Sequence, residues 1–237
     1  MNIQRISAPL GALVRDIDVR QIDKGSWSTL NELFLKHHVL AFPGQSLTED
    51  ELIAFAAQWG PLIRHPYAGM KCHPDVIELR NTGKRKDINQ HWHSDMTYNP
   101  QPPKFTMLYA KQTPEIGGDT AFSNQILAYQ NLSSGLKQVL SGLTAEHTAA
   151  GLALLNKANA ADAPKATHPV VRTHDETGEQ ALYVCRAFTE RFTGWSIRES
   201  KALLELLYEE SVRPEFQARH RWQVGDVVMW DNRCLLH

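Results

Sequence analysis

The chain predicts a fold of mixed α and β character, because short apolar runs of strand length alternate with amphipathic segments that carry their own capping signals. No linker interrupts the alternation. Leu10 to Val19 alternates apolar and polar residues around a turn at Gly11, Val39 to Phe42 is a short buried-strand run, and Val76 to Leu79 predicts another. Thr48-Glu49-Asp50-Glu51 has the form of a capping box, in which the first and fourth residues satisfy each other's backbone N–H groups. Leu52, Ile53, Phe55, Ala56 and Trp59 then make one helical face, which Gly60 and Pro61 end. Ser196-Ile197-Arg198-Glu199 repeats the device, with Ile197, Leu203, Leu204, Leu207 and Tyr208 facing inward and Glu205, Glu209 and Glu210 on the solvated side. Ala181 to Cys185, Phe216 to Trp222 and Val227 to Trp230 are the later strands. The Ala-rich stretch from Ala149 to Lys165 reads as helix followed by loop, either a surface excursion or a lid.

Composition bounds the function classes. With 237 residues, 42% of them hydrophobic, the chain can bury a substantial core as one domain. Its 25 Lys and Arg against 26 Asp and Glu leave a net charge of -1, and no basic run suggests nucleic acid or an anionic membrane surface as partner. Cys72, Cys185 and Cys234 are few, odd in number and widely spaced, which fits reduced thiols in a cytoplasmic protein better than a disulfide framework. Neither a signal-peptide core nor an apolar run of membrane-spanning length is found.

The chemistry concentrates in His91-Trp92-His93-Ser94-Asp95 and in His237. On an extended strand His93 and Asp95 share a face about 7 Å apart, so both can reach one ion. A His-x-Asp pair with one distant His is the ligand set of the 2-His-1-carboxylate facial triad, which leaves positions open for oxygen and a co-substrate. His91 has the same strand parity, but His91, His93 and Asp95 together would span about 13 Å, too far for one ion with donors at about 2.1 Å. At most two neighbours can bind one ion, and spacing alone leaves open which two. A His91-x-His93 pair would suit a cupin, yet no Glu follows at the required spacing. Cys234 and His237 could be a zinc pair, but on a continuous strand their opposite parity turns them apart.

Phe42-Pro43-Gly44-Gln45, Trp92-His93-Ser94-Asp95, Gly117-Gly118-Asp119-Thr120 and Trp230-Asp231-Asn232-Arg233, closed by His237, resemble the corresponding motifs of the taurine and 2,4-dichlorophenoxyacetate dioxygenase family. His220-Arg221-Trp222 is closer to the dichlorophenoxyacetate branch. The resemblance covers most of the chain. It implies a mainly β fold, a double-stranded β-helix or jelly roll with flanking helices, as a single dioxygenase domain over residues 1–237. It also implies Fe(II) held by His93, Asp95 and His237, which leaves His91 at the rim, with 2-oxoglutarate as co-substrate and its far carboxylate met by the Thr120 hydroxyl. His65, Asn89 and Tyr67 match positions that contact substrate, expected to be a small organic anion such as a sulfonate, a carboxylate or an aryloxyalkanoate. The implied reaction hydroxylates substrate with molecular oxygen while 2-oxoglutarate is decarboxylated to succinate. Dimers or tetramers are usual among similar enzymes. The arginine that pairs with 2-oxoglutarate lies one strand beyond the distal His in that family, so the domain is expected to be truncated here and to continue past His237. Arg233 does not match that position. The competing readings are another cupin-like metalloenzyme, a zinc hydrolase or isomerase, and a non-catalytic binding protein on the same scaffold.

Overall fold

A computed structural model describes residues 1–65, 70, 73–80 and 91–237. The strands are β1 (Asn2–Arg5), β2 (Ala12–Arg15), β3 (Val39–Phe42), β4 (Phe105–Tyr109), β5 (Thr120–Asn124), β6 (Thr144–Thr148), β7 (Lys165–Pro169), β8 (Val171–Thr173), β9 (Gln180–Leu182), β10 (Thr189–Phe192), β11 (Gln217–His220), β12 (Val227–Asp231) and β13 (Leu235–Leu236). The helices are α1 (Lys24–His37), α2 (Glu49–Ala56), α3 (Gln125–Asn131), α4 (Ser134–Leu140), α5 (Ala150–Leu155) and α6 (Ile197–Ser211). The fold is mixed α/β and mainly β.

One sheet has the order β1-β2-β3-β12-β4, and a smaller one the order β11-β5-β13. Strand β12 is buried on both faces, so it reads as a continuous apolar run instead of an alternation. Val227 and Met229 pack under α1 and α2 with Leu30, Phe34, Phe55 and Trp59. Val228 and Trp230 face the smaller sheet, where Phe122, Ala218 and Leu235 meet them. Strand β3 divides the same way, with Leu40 and Phe42 on the helix side and Val39 and Ala41 between the sheets. A third sheet, β10-β6-β7, packs with α3, α4 and α6 around Leu140, Phe192, Leu204 and Leu207.

Local signals in the sequence account for much of this. Both capping boxes form, Thr48 with Glu51 and Ser196 with Glu199. Gly225 takes φ +90 where a Cβ would stand 2.9 Å from the Gln45 carbonyl, so the close approach of this turn to Gly44-Gln45 requires glycine. Gln45 donates its backbone N–H to the Gly225 carbonyl at 2.7 Å, and its amide reaches Ile17 and Val19.

Several expectations are corrected. Val76 to Leu79 forms no strand, and Leu79 is 59% exposed. Ile197 is the first residue of α6 and lies exposed, ahead of the stripe that Leu204 and Leu207 bury. Of the run Ala181 to Cys185 only Ala181 and Leu182 are strand, within β9, and Phe216 closes a 3-10 turn ahead of β11. Ala149 to Lys165 does make helix then loop, with Leu152 packed beside Met96, Tyr98 and Phe188 while Leu154 and Leu155 are exposed.

A buried charge cluster fixes the turn between β12 and β13. Arg233 donates through Nε and one terminal nitrogen to Asp231 at 2.8 and 2.6 Å, and through the other to Asp175 at 2.7 Å and Glu176 at 2.5 Å. His174 accepts the Glu176 and Thr177 N–H groups at Nδ1, which places its hydrogen on Nε2, 3.0 Å from Asp231. Burial opposes ionisation of Asp231, but Arg233 and His174 outweigh it and hold the carboxyl well below the usual range. Arg233→Met should lower unfolding free energy in urea by about 3–5 kcal/mol, because it leaves the buried Asp231 carboxylate without its guanidinium partner. Arg233→Lys should recover only part of the loss, since lysine lacks the planar fork.

His147 is buried, donates or accepts at Nδ1 with the Thr97 hydroxyl at 2.9 Å, and is pushed down to about 3 by burial and the neighbouring His168. The unfolded chain takes up this proton near the ordinary value of 6.5, so His147 contributes full stability above that pH and loses it as the pH falls toward 3. His147→Gln should flatten the acid limb of the stability curve by up to about 1.4 kcal/mol per pH unit. Urea titrations between those pH values measure the difference.

Candidate metal centre

The site begins with a pair of backbone hydrogen bonds. His237 donates its N–H to the His93 carbonyl at 2.8 Å, and His93 returns the bond to the His237 carbonyl at 3.0 Å. This reciprocal pair places the two imidazoles together, with ring centroids 4.2 Å apart. Asp95 lies against both, Oδ1 at 3.5 Å from His93 Nε2 and Oδ2 at 3.7 Å from His237 Nε2. One donor atom from each of the three residues lies within 4.8 Å of the others. Such spacing approaches the roughly 3 Å between neighbouring ligands that each stand about 2.1 Å from an ion.

The donors are prepared for a cation. His93 Nδ1 is 2.8 Å from the His91 carbonyl and donates to it, which leaves the Nε2 lone pair directed at Asp95. Burial opposes ionisation of Asp95, but the two imidazoles and the Thr106 hydroxyl outweigh it and hold the carboxyl below the usual range. Burial and the neighbouring His93 push His237 down to about 3. Carboxylate and uncharged imidazole are the protonation states that metal binding needs. Two imidazoles and one carboxylate form a donor set suited to Fe(II).

His93 and Asp95 come together as expected, but by a different local geometry. Neither lies on a strand: Asp95 opens a turn whose next residue, Met96, has φ +51. Cys234 and His237 likewise do not share a continuous strand, since a turn separates Asp231 from Leu235. Cys234 still points away from His237, with Sγ 3.4 Å from His38 Nδ1. His38, Asp231 and Cys234 form a second group of possible ligands. There, however, Arg233 and His174 occupy the Asp231 oxygens, and a guanidinium beside them opposes a cation.

Thr120 opens β5, where Gly117 and Gly118 turn the chain with φ +82 and +73. It shares a face with Phe122, whose ring is 6.3 Å from that of His237. Trp222 donates Nε1–H to Thr120 Oγ1 at 2.9 Å. His65 is half-buried, with Nε2 3.5 Å from the Tyr98 hydroxyl, and Tyr98 packs on Phe188 beside the His93 ring. Burial lowers the His65 pKa, and the Asp95 charge partly offsets that. Asn89 and Tyr67 lie outside the described residues. Arg233 is committed to carboxylates of the chain, consistent with its exclusion as a co-substrate partner.

Sequence reasoning missed Thr106, Asn232 and Trp222 as site residues. Asn232 sat inside a recognised motif with no role assigned, while Thr106 carried no local signal.

The fold and these converging donors define a non-haem metal oxygenase type of centre on a sheet-based scaffold. The family model "Taurine catabolism dioxygenase TauD, TfdA family" matches residues 2–237, and the chain belongs to that family, whose dioxygenases use Fe(II) and 2-oxoglutarate. It is 35% identical over 252 residues to the alpha-ketoglutarate-dependent 2,4-dichlorophenoxyacetate dioxygenase of Cupriavidus pinatubonensis, covering 94% of this chain and 86% of that protein. Identity to the alkylsulfatase of Acinetobacter baylyi is 32%, across 100% of this chain and 79% of the relative. A solved taurine dioxygenase from Burkholderia xenovorans superposes with a TM-score of 0.85 at 34% identity, covering 99% of this chain and 81% of that one.

His93→Ala and Asp95→Ala should each weaken Fe(II) or Mn(II) binding more than about 100-fold, because each removes one of the three converging donors. His91→Ala should change it by less than roughly twofold, since His91 supports His93 through a backbone carbonyl that alanine keeps. Calorimetric metal titration of the three variants separates the cases.

Proposed function

We propose that this chain is an Fe(II)- and 2-oxoglutarate-dependent dioxygenase that hydroxylates a small organic anion. The observation that carries the reading is the convergence of His93, Asp95 and His237 in a chain of this family. His93, Asp95 and His237 are the metal ligands, and Fe(II) held by them would supply the oxygen chemistry that protein side chains lack. Substrate R–H, oxygen and 2-oxoglutarate give R–OH, succinate and CO₂. The facing of the β1-β2-β3-β12-β4 and β11-β5-β13 sheets supports a double-stranded β-helix spanning the chain as one domain.

The chain's own residues bind and orient. Trp222 can only donate, so the Thr120 oxygen is its acceptor, and among the described residues the Thr120 hydrogen is left to reach the far carboxylate of 2-oxoglutarate. His65 is a donor for the anionic end of the substrate, with Asn89 and Tyr67 as further contacts. The relatives named for 2,4-dichlorophenoxyacetate and for alkyl sulfates act on compounds in which a carbon is bonded to ether or ester oxygen. Hydroxylation of such a carbon here would give a product that collapses with cleavage of the C–O bond.

Anaerobic addition of Fe(II) and 2-oxoglutarate should produce a weak visible charge-transfer band, and oxygen should then release succinate in step with consumption of an aryloxyalkanoate, alkyl sulfate or alkylsulfonate. Turnover without oxygen or 2-oxoglutarate would sink the proposal. His65→Ala should raise the substrate KM roughly ten- to a hundredfold, the worth of one charge-assisted hydrogen bond. The 2-oxoglutarate requirement should barely move; equal losses for both would return His65 to a structural role.

A further inference from the structure

Asp95 is held from behind by a chain of hydrogen bonds whose direction is fixed. Thr106 Oγ1 lies 2.6 Å from Asp95 Oδ2, and Asn232 Nδ2 lies 2.9 Å from Thr106 Oγ1. An ionised carboxylate only accepts, so the single hydroxyl hydrogen of Thr106 goes to Asp95. The Thr106 oxygen must then accept from the Asn232 amide. The same amide's Oδ1 faces the Asp95 backbone N–H at 3.4 Å, which agrees with its orientation. Asn232 is itself immobilised: its N–H donates to the Lys104 carbonyl at 3.0 Å, and its carbonyl accepts from the Ser94 hydroxyl at 2.7 Å.

Sheet register sets up the relay. Thr106 on β4 pairs with Trp230 on β12, and Asn232 follows β12 directly. The relay therefore joins the strand next to the site, the turn leading to His237, and the carboxylate between the imidazoles. Oδ2, already accepting a short hydrogen bond, is the less basic oxygen; Oδ1 is left as the stronger donor toward a cation.

We propose that Thr106 and Asn232 are positioning residues for the metal, the relay fixing the Asp95 carboxylate so that it binds through Oδ1 alone. This rests on the assignment of His93, Asp95 and His237 as ligands. Its consequence is chemical. A carboxylate free to swing onto the ion with both oxygens would take a position that the co-substrate or oxygen needs.

The test uses Mn(II) and Co(II) binding to the protein without substrate. Thr106→Val keeps the side-chain shape and removes the donor; it should weaken Mn(II) binding about 10–100-fold and alter the visible ligand-field band of the Co(II) form. Thr106→Ser should restore both to within roughly threefold of the parent, because it keeps the hydroxyl. Asn232→Ala breaks the relay from its other end and should give a smaller loss in the same direction, so a folding failure of either variant leaves the other measurable. Melting of the metal-free variants shows whether the fold survives. Asp95→Ala is the control for the ligand assignment: if it binds Mn(II) like the parent, that assignment fails. If Asp95→Ala loses the metal while Thr106→Val binds Mn(II) normally with an unchanged Co(II) spectrum, the relay is overturned and the ligands stand. A Thr106→Ser protein as impaired as Thr106→Val would assign the effect to packing and overturn it equally.

Discussion

The site depends on two backbone hydrogen bonds, those that His93 and His237 exchange. Side chains can be brought near one another in many ways, but a reciprocal backbone pair fixes both residues in register. A slip of one position would turn one of the imidazoles away from Asp95. The pair also explains why a segment outside any strand can carry two of the donors. His93 and Asp95 need no strand around them, because the end of β13 supplies the straight edge against which this segment is aligned. Neighbouring contacts reinforce the pairing: the Ser94 hydroxyl reaches the Asn232 carbonyl, and the His237 ring packs against Trp230 and Phe122.

Behind this edge lies the buried cluster of Asp231, Arg233 and His174. Desolvating these groups is costly, and a well-packed apolar cluster of similar volume would serve stability as well. Its geometric content is what an apolar cluster lacks. The Arg233 fork holds Asp231, and Asp231 Oδ1 in turn accepts the Arg233 backbone N–H at 2.9 Å, so the turn has one shape. Asn232, between them, is directed toward Thr106 and Asp95, while Cys234 on the far side is directed to His38. The motif Trp-Asp-Asn-Arg thus divides its work along successive residues: an aromatic wall beside His237, a buried anion, an amide on the ligand side, and the cation that satisfies the anion.

How far the sequence discloses this follows from the range of each interaction. Capping boxes are closed within four residues, so Thr48 and Ser196 announce their helices without reference to the rest of the chain. The apolar run Val227 to Trp230 is legible as a strand because burial on both faces leaves no polar alternation. Val76 to Leu79 is a similar apolar-rich run, but no strand among the described residues pairs with it, and apolar character alone does not make a ladder. The donors themselves are legible through residue type and spacing, though the strand parity first invoked for His93 and Asp95 is replaced by a turn with Met96 in the left-handed region. Thr106 is different in kind. Only the register that sets it opposite Trp230 brings it to Asp95, and register between β4 and β12 is a property of the assembled sheet.

Two threonine hydroxyls near the centre show how a neighbour decides what a hydroxyl can do. A hydroxyl has one hydrogen and two lone pairs and turns freely until a neighbour fixes it. Thr106 stands between an amide donor and a carboxylate, so its one hydrogen is committed to Asp95 and no donor remains to offer a ligand. Thr120 stands beside the Trp222 indole, which has a donor and no acceptor, so its oxygen is engaged while its hydrogen meets no acceptor among the described residues. The first arrangement suits holding the Asp95 carboxylate still. The second suits meeting an anion that arrives and leaves. The residue type is the same in both places, and the difference comes from which polar atom the sheets set beside it.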